Sequence, residues 1–210
     1  MIDIIVNYLL YKYIKKYIKK SVLLTPIFGT SIGVLGMKGA GKTQLYNTLR
    51  GAQDLETSAT GTNDYDSFVF EYGDRKIKIS KGRDIGGGDM YVREYYDKMI
   101  KEKDIIFFLF DVKQYMENPD YAKEVKARMD FIWNKMKDEY DEEEIKKRLV
   151  TIGSHIDQLD KEQIKNLKGY LQNDVVGKPY SPMFNNNFIP SDLKKRVGFM
   201  DKLVQKKIFG

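Results

Sequence analysis

Apolar residues along the chain fall into short unbroken runs, separated by longer stretches in which they recur at helical spacing. Ser31 to Leu35 (SIGVL) reads as a buried strand, and Leu149 to Gly153 (LVTIG) reads as another. Asp104 to Val112 (DIIFFLFDV) is nearly continuous apolar sequence, as expected of a strand covered on both faces. Two further strands are predicted near 66–72 and 75–80, with Gly73-Asp74 as the turn of a hairpin, and a short one at Phe188 to Pro190. Helical patterns run from Gly41 to a stop at Gly51, over roughly 90–101, 119–138 and 160–172, and finally over 192–208. The acidic patch DEYDEEE interrupts the third helical stretch. Residues 52–64, the run GRDIGGGD and residues 173–187 read as loops. Strands alternating with helices predict an α/β domain. Its mostly parallel six-stranded sheet would contain one antiparallel hairpin strand and carry helices on both faces.

The first twenty residues stand apart. Lys12, Lys15, Lys16 and Lys19 share one face of a helix, and Val6, Leu10, Tyr13, Ile14, Tyr17 and Ile18 share the other. Five lysines against Asp3 give this segment +4 of the chain's formal net charge of +6. The remainder is close to neutral, so no nucleic-acid-binding surface is expected. The apolar run is too short to span a bilayer, which takes about 20 residues. Its charge follows the run rather than preceding it, unlike a secretory signal. Three roles are open to this basic amphipathic helix: docking on its own domain, binding an anionic membrane surface, or binding a protein partner. Ser21 to Thr30, with Pro26 and Gly29, reads as a linker. The expected division is therefore an appended helix and linker over 1–30 and one domain over 31–210. The chain has 210 residues and no cysteine, which excludes disulfides and thiolate metal sites and fits a reducing interior compartment. A single histidine, His155, excludes a poly-histidine metal site.

The chemistry concentrates in Gly36-Met37-Lys38-Gly39-Ala40-Gly41-Lys42-Thr43, which fits G-x-x-x-x-G-K-[ST] between a predicted strand and a predicted helix. The glycines let the backbone wrap a phosphate with its N–H groups inward. The helix N-terminus adds positive partial charge there. Lys42 supplies a full charge to the outer phosphates, and Thr43 can place its hydroxyl on Mg²⁺. A nucleotide is therefore the expected ligand.

Four further stretches make the chain resemble the Ras-like small GTPases over about residues 31–208. Asp84-Ile85-Gly86-Gly87 matches D-x-x-G. The resemblance implies that Asp84 holds Mg²⁺ through water and that the Gly87 N–H senses the γ-phosphate. Ser58-Ala59-Thr60-Gly61-Thr62 is similar to the first switch loop of Roc-type domains. It implies Thr60, with Thr62 as the alternative, closing over Mg²⁺ and the γ-phosphate. Ser154-His155-Ile156-Asp157 stands where the family has N-K-x-D, and a T-H-x-D form occurs in Roc-like domains. Asp157 would accept two hydrogen bonds from guanine, a donor pair that adenine lacks. His155 would lie over the purine face. Ser191 matches the last base-binding loop, with Asp192 beside it.

Where the family places a water-orienting Gln, this chain has Gly88, followed by Asp89. The catalytic residue is thus unassigned. Asp89 is the nearest candidate, and Arg83 and Arg93 lie close in sequence. The resemblance implies a P-loop GTPase fold and a GTP/GDP switch with Mg²⁺ as cofactor and slow intrinsic hydrolysis. An effector or activating protein would be its partner. It would be cytoplasmic or peripheral at the inner membrane face. Two alternatives stay open: a non-hydrolysing nucleotide-binding module, and a P-loop ATPase or nucleotide kinase.

Overall fold

The computed structural model describes residues 31–50, 64–65, 67–72, 75–79, 82–83, 89–185 and 188–194. The expected N-terminal helix, both switch loops and the body of the last helix lie outside the described residues. Within them the chain forms an α/β fold with a parallel sheet and helices.

The strands are β1 (Ser31–Gly36), β2 (Asp64–Tyr65), β3 (Phe68–Tyr72), β4 (Arg75–Ile79), β5 (Gly82–Arg83), β6 (Ile105–Asp111), β7 (Leu149–Ser154) and β8 (Phe188–Pro190). The main sheet is hydrogen-bonded in the order β3-β4-β1-β6-β7-β8. Strands β4, β1, β6, β7 and β8 run parallel, and β3 pairs antiparallel with β4. Every residue of β6 and β7 is buried. Side chains alternate between the two faces of a strand, so such burial requires cover on both. The pair β2–β5, Asp64 opposite Arg83 and Tyr65 opposite Gly82, was not expected. Two-residue strands carry no readable alternation.

The helices are α1 (Lys42–Arg50), α2 (Asp89–Glu102), α3 (Val112–Glu117), α4 (Pro119–Lys137), α5 (Glu142–Arg148) and α6 (Lys161–Asp174). Three departures from expectation concern their ends. First, β6 stops at Asp111, and Val112 begins α3 instead of ending the strand. The Asp111 carboxylate accepts the Gln114 N–H at 3.0 Å and caps the helix. Second, Asn118 ends α3 and caps α4, with Pro119 at the first helical position. Third, the acidic patch opens a helix as well as breaking one. Asp141 caps α5, Glu142, Glu143 and Glu144 fill its first turn, and Lys146, Lys147 and Arg148 its last. That distribution opposes the helix dipole at both ends.

Residues 173–187, expected to be irregular, contain a 3₁₀ turn at Ser181–Phe184. It buries Phe184 against Phe110, Tyr115 and Phe188, with ring centroids 5.8–6.3 Å apart. At the end of the described chain, residues 192–194 are not helical, and Leu193 and Lys194 form a turn.

Register decides where a site can form. Gly36 pairs with Leu109, Asp111 with Ser154, and Gly153 with Pro190. The carboxyl ends of β1, β6, β7 and β8 therefore share one edge, the edge at which open α/β sheets bind ligands.

Candidate functional site

At the end of β1 the chain must turn sharply under the neighbouring strand. Gly36 has φ +152°, and a Cβ there would stand 2.4 Å from the Leu109 carbonyl oxygen. Only glycine fits that approach. The Met37 N–H then donates to the same Leu109 carbonyl at 2.9 Å. Ala40 is fully buried, while Lys38 and Gly39 face solvent. Gly41, at φ +82°, turns the chain into α1, and its carbonyl accepts from Leu45 N–H at 2.8 Å. Lys42 is buried, with its ammonium 2.8 Å from the Met37 carbonyl and 3.4 Å from that of Gly36. The motif's lysine is thus tied to its own loop. Thr43 follows it in the first turn of α1, at the positive end of the helix dipole.

The second loop at this edge follows β7. Ser154 is 1% exposed, and its hydroxyl donates to the Phe110 carbonyl at 3.1 Å. This hydroxyl, of a residue expected in the base loop, latches β7 to β6. His155 has φ +60°, the one positive value at a non-glycine position among the described residues. That conformation directs the imidazole at the phosphate loop: Nε2 is 3.2 Å from the Gly39 carbonyl and 3.9 Å from the Asp111 carboxylate. Gln158 Nε2 lies 3.3 Å from Nδ1. The expected purine-covering ring therefore also joins the two loops. Asp157 stands in the 3₁₀ turn Ile156–Gln158, 3.4 Å from the exposed Lys194 ammonium.

The third loop follows β8. Ser191 is buried, and its N–H donates to the Gly153 carbonyl at 2.8 Å, continuing the sheet by one residue. The Asp192 carboxylate accepts the Lys194 N–H at 3.0 Å. Leu193 is buried, with its Cδ1 3.2 Å from where a Gly41 Cβ would stand, and its carbonyl accepts the Thr48 hydroxyl of α1.

The structure thus brings Gly36, Lys38, Gly39, Ala40, Gly41, Lys42 and Thr43 to one sheet edge with Ser154, His155, Asp157, Ser191 and Asp192. Thr60, Thr62, Asp84, Gly87 and Gly88 lie outside the described residues. Asp89 begins α2, and Arg93 on the same helix is exposed, its guanidinium 6.0 Å from the centre of the Phe131 ring.

Two residues at the site carried no motif. Asp111, buried, caps α3 and faces His155. Tyr96, on α2, places its hydroxyl 3.1 Å from the Gly36 nitrogen. Burial pushes the Tyr96 hydroxyl pKa up, partly offset by the Arg128 guanidinium beside it. Helical spacing marks the buried face that holds Tyr96 but not its partner. Asp111 had a signal, a carboxylate ending an apolar run ahead of a polar segment.

Neither a protein-family model nor a curated protein matches the sequence. Among solved structures, the chain is similar to translation elongation factor SelB from Methanococcus maripaludis, solved in complex with the GTP analogue GppNHp. The TM-score is 0.50 at 15% identity, over 86% of this chain. The likeness is one of fold, an α/β domain with a mostly parallel sheet. The match spans 33% of the SelB chain, and at this identity the likeness speaks for the fold alone.

Proposed function

We propose that this protein is a guanine-nucleotide-binding switch of Ras-like kind, with residues 31–210 as its GTP-binding domain. One observation carries the reading. His155, which begins the base loop, lies within hydrogen-bonding distance of Gly39 in the phosphate loop, at 3.2 Å. This contact joins the two loops at the sheet edge that carries both Asp157 and Lys42, which we read as a carboxylate for the base and an ammonium for the phosphates. The GTP analogue bound to SelB supports a nucleotide as the ligand.

Mg²⁺ fits the donor chemistry, because the Thr43 hydroxyl at the start of α1 and phosphate oxygens are hard ligands. Thr43, with Asp84 and Thr60 from the switch loops, would hold it. Once bound, it adds positive charge beside the outer phosphates. The chain's own residues supply the rest. The loop N–H groups and Lys42 bind the phosphates, Asp157 selects guanine, and Ser191 and Asp192 complete the base loop. Thr60 and Gly87 would follow the γ-phosphate and relax on its loss. Gly88 offers no group to orient water, so the isolated chain turns over slowly and an activating protein supplies the missing group. The same glycine supports a second reading, a module that holds nucleotide without hydrolysing it.

The test is the nucleotide released when the purified full chain is denatured, followed by single-turnover hydrolysis with and without a Mg²⁺ chelator. Guanine nucleotide and slow, chelator-sensitive turnover are expected. Adenine nucleotide would overturn the guanine assignment. Absence of any turnover would favour the non-hydrolysing module.

A further inference from the structure

The phosphate loop is held by a side chain outside its motif. Tyr96 is 4% exposed, and its hydroxyl stands 3.1 Å from Gly36 N and 3.3 Å from Gly36 O. Arg128 Nη1 on α4 approaches the same hydroxyl at 3.3 Å, and Arg128 is paired with Glu124 one turn earlier. The roles follow from the donors available. The Gly36 N–H and the guanidinium donate to the hydroxyl oxygen, and the hydroxyl proton goes to the Gly36 carbonyl. That carbonyl is also one of the two that receive the Lys42 ammonium. Tyr96 and Lys42 therefore converge on one oxygen.

α2 begins at Asp89, directly after Asp84-Ile85-Gly86-Gly87-Gly88 in sequence. A shift of this helix carries the Tyr96 hydroxyl away from Gly36. It leaves a buried peptide group without its partner and changes what the carbonyl offers Lys42. We propose that Tyr96 is a positioning residue that couples the place of α2 to the hold of Lys42 on the outer phosphates, an inference that rests on the nucleotide-binding reading above. Lys42 acts on the outer phosphates, so a misplaced ammonium weakens triphosphate binding more than diphosphate binding.

The experiment measures the affinity of the full chain for GDP and for a non-hydrolysable GTP analogue, in the parent and in Tyr96→Phe. The substitution keeps the ring, which packs 6.5 Å from that of Phe131, and removes only the hydroxyl. The triphosphate-to-diphosphate affinity ratio is expected to fall about tenfold, the equivalent of one buried hydrogen bond. Arg128→Leu should lower the ratio in the same direction, and Arg128→Lys, which keeps a cationic donor, should restore it. If Tyr96→Phe does not fold, the Arg128 pair reads the same ratio. Equal losses for both nucleotides, or no loss, would reduce Tyr96 to a packing residue and overturn the coupling. A parent that binds neither nucleotide would overturn the functional reading itself, and this inference with it.

Discussion

In the proposed reading, selectivity for a base would rest on a single carboxylate, that of Asp157. Asp157 is held by a short 3₁₀ turn rather than by a long flexible loop, and the exposed Lys194 ammonium stands 3.4 Å from its carboxylate. An exposed ion pair of that kind contributes little, about 0–1 kcal/mol, so donors on a base can displace it. Replacing Asp157 by Asn turns one acceptor into a donor. It should weaken GTP binding by about 1–3 kcal/mol and raise relative affinity for a xanthine nucleotide. Competition of both nucleotides against labelled GTP checks this, and unchanged GTP affinity would remove Asp157 from the base site. The position of this residue was legible because a charged group follows an apolar strand at a fixed distance. The left-handed conformation of His155 was not legible. Positive φ is uncommon outside glycine, histidine being among the residues enriched there, and the contacts of the ring with Gly39 and Asp111 come from distant parts of the chain.

Elements were readable where burial is uniform and ambiguous where two roles meet in one residue. IIFFLFD and LVTIG announce strands, since no solvated face breaks the run. Asp111 ends a strand and caps a helix at once, and α3, six residues long, is too short to show a period. The Tyr96–Arg128 contact joins residues 32 positions apart on two helices, a distance that helical periodicity cannot span. The start of α6 is the best determined of the helix ends. The Asp160 carboxylate accepts the Gln163 N–H at 2.8 Å, and the Gln163 amide oxygen accepts the Asp160 N–H at 2.9 Å. This reciprocal pair satisfies two N–H groups that the helix start would otherwise leave bare. Asp160→Ala should therefore destabilise the fold by about 1 kcal/mol in chemical denaturation. Nucleotide affinity should change little, because Leu159 and Asp160 lie beyond the turn that carries Asp157. A loss of affinity larger than the loss of stability would show that the cap also fixes the base loop.

At the scale of the whole molecule, strand order puts the phosphate loop, the Ser154–Asp157 loop and the Ser191–Lys194 loop side by side, though more than a hundred residues separate the first from the other two. Motif spacing named these loops, and the parallel register brought them together. The first twenty residues lie outside the described residues, and their +4 charge out of a chain total of +6 makes them the basic end of an otherwise nearly neutral sequence. No helix among the described residues is long and apolar enough to cross a membrane. The expectation of bilayer association comes from the sequence of the amphipathic segment, residues 1–20. Each lysine near an anionic surface contributes about 1 kcal/mol, and the buried Ile, Leu and Tyr side chains add to this. We expect residues 1–20 to bind anionic vesicles reversibly, with binding that weakens as salt rises and its screening length shortens. Sedimentation of the full chain and of a chain lacking residues 1–20, with phosphatidylserine-containing and neutral vesicles at low and high salt, checks this. Salt-sensitive binding confined to the full chain and to anionic vesicles is the expected result. If neither chain binds and truncation lowers the melting temperature, the segment packs on the domain and its lysines remain in water.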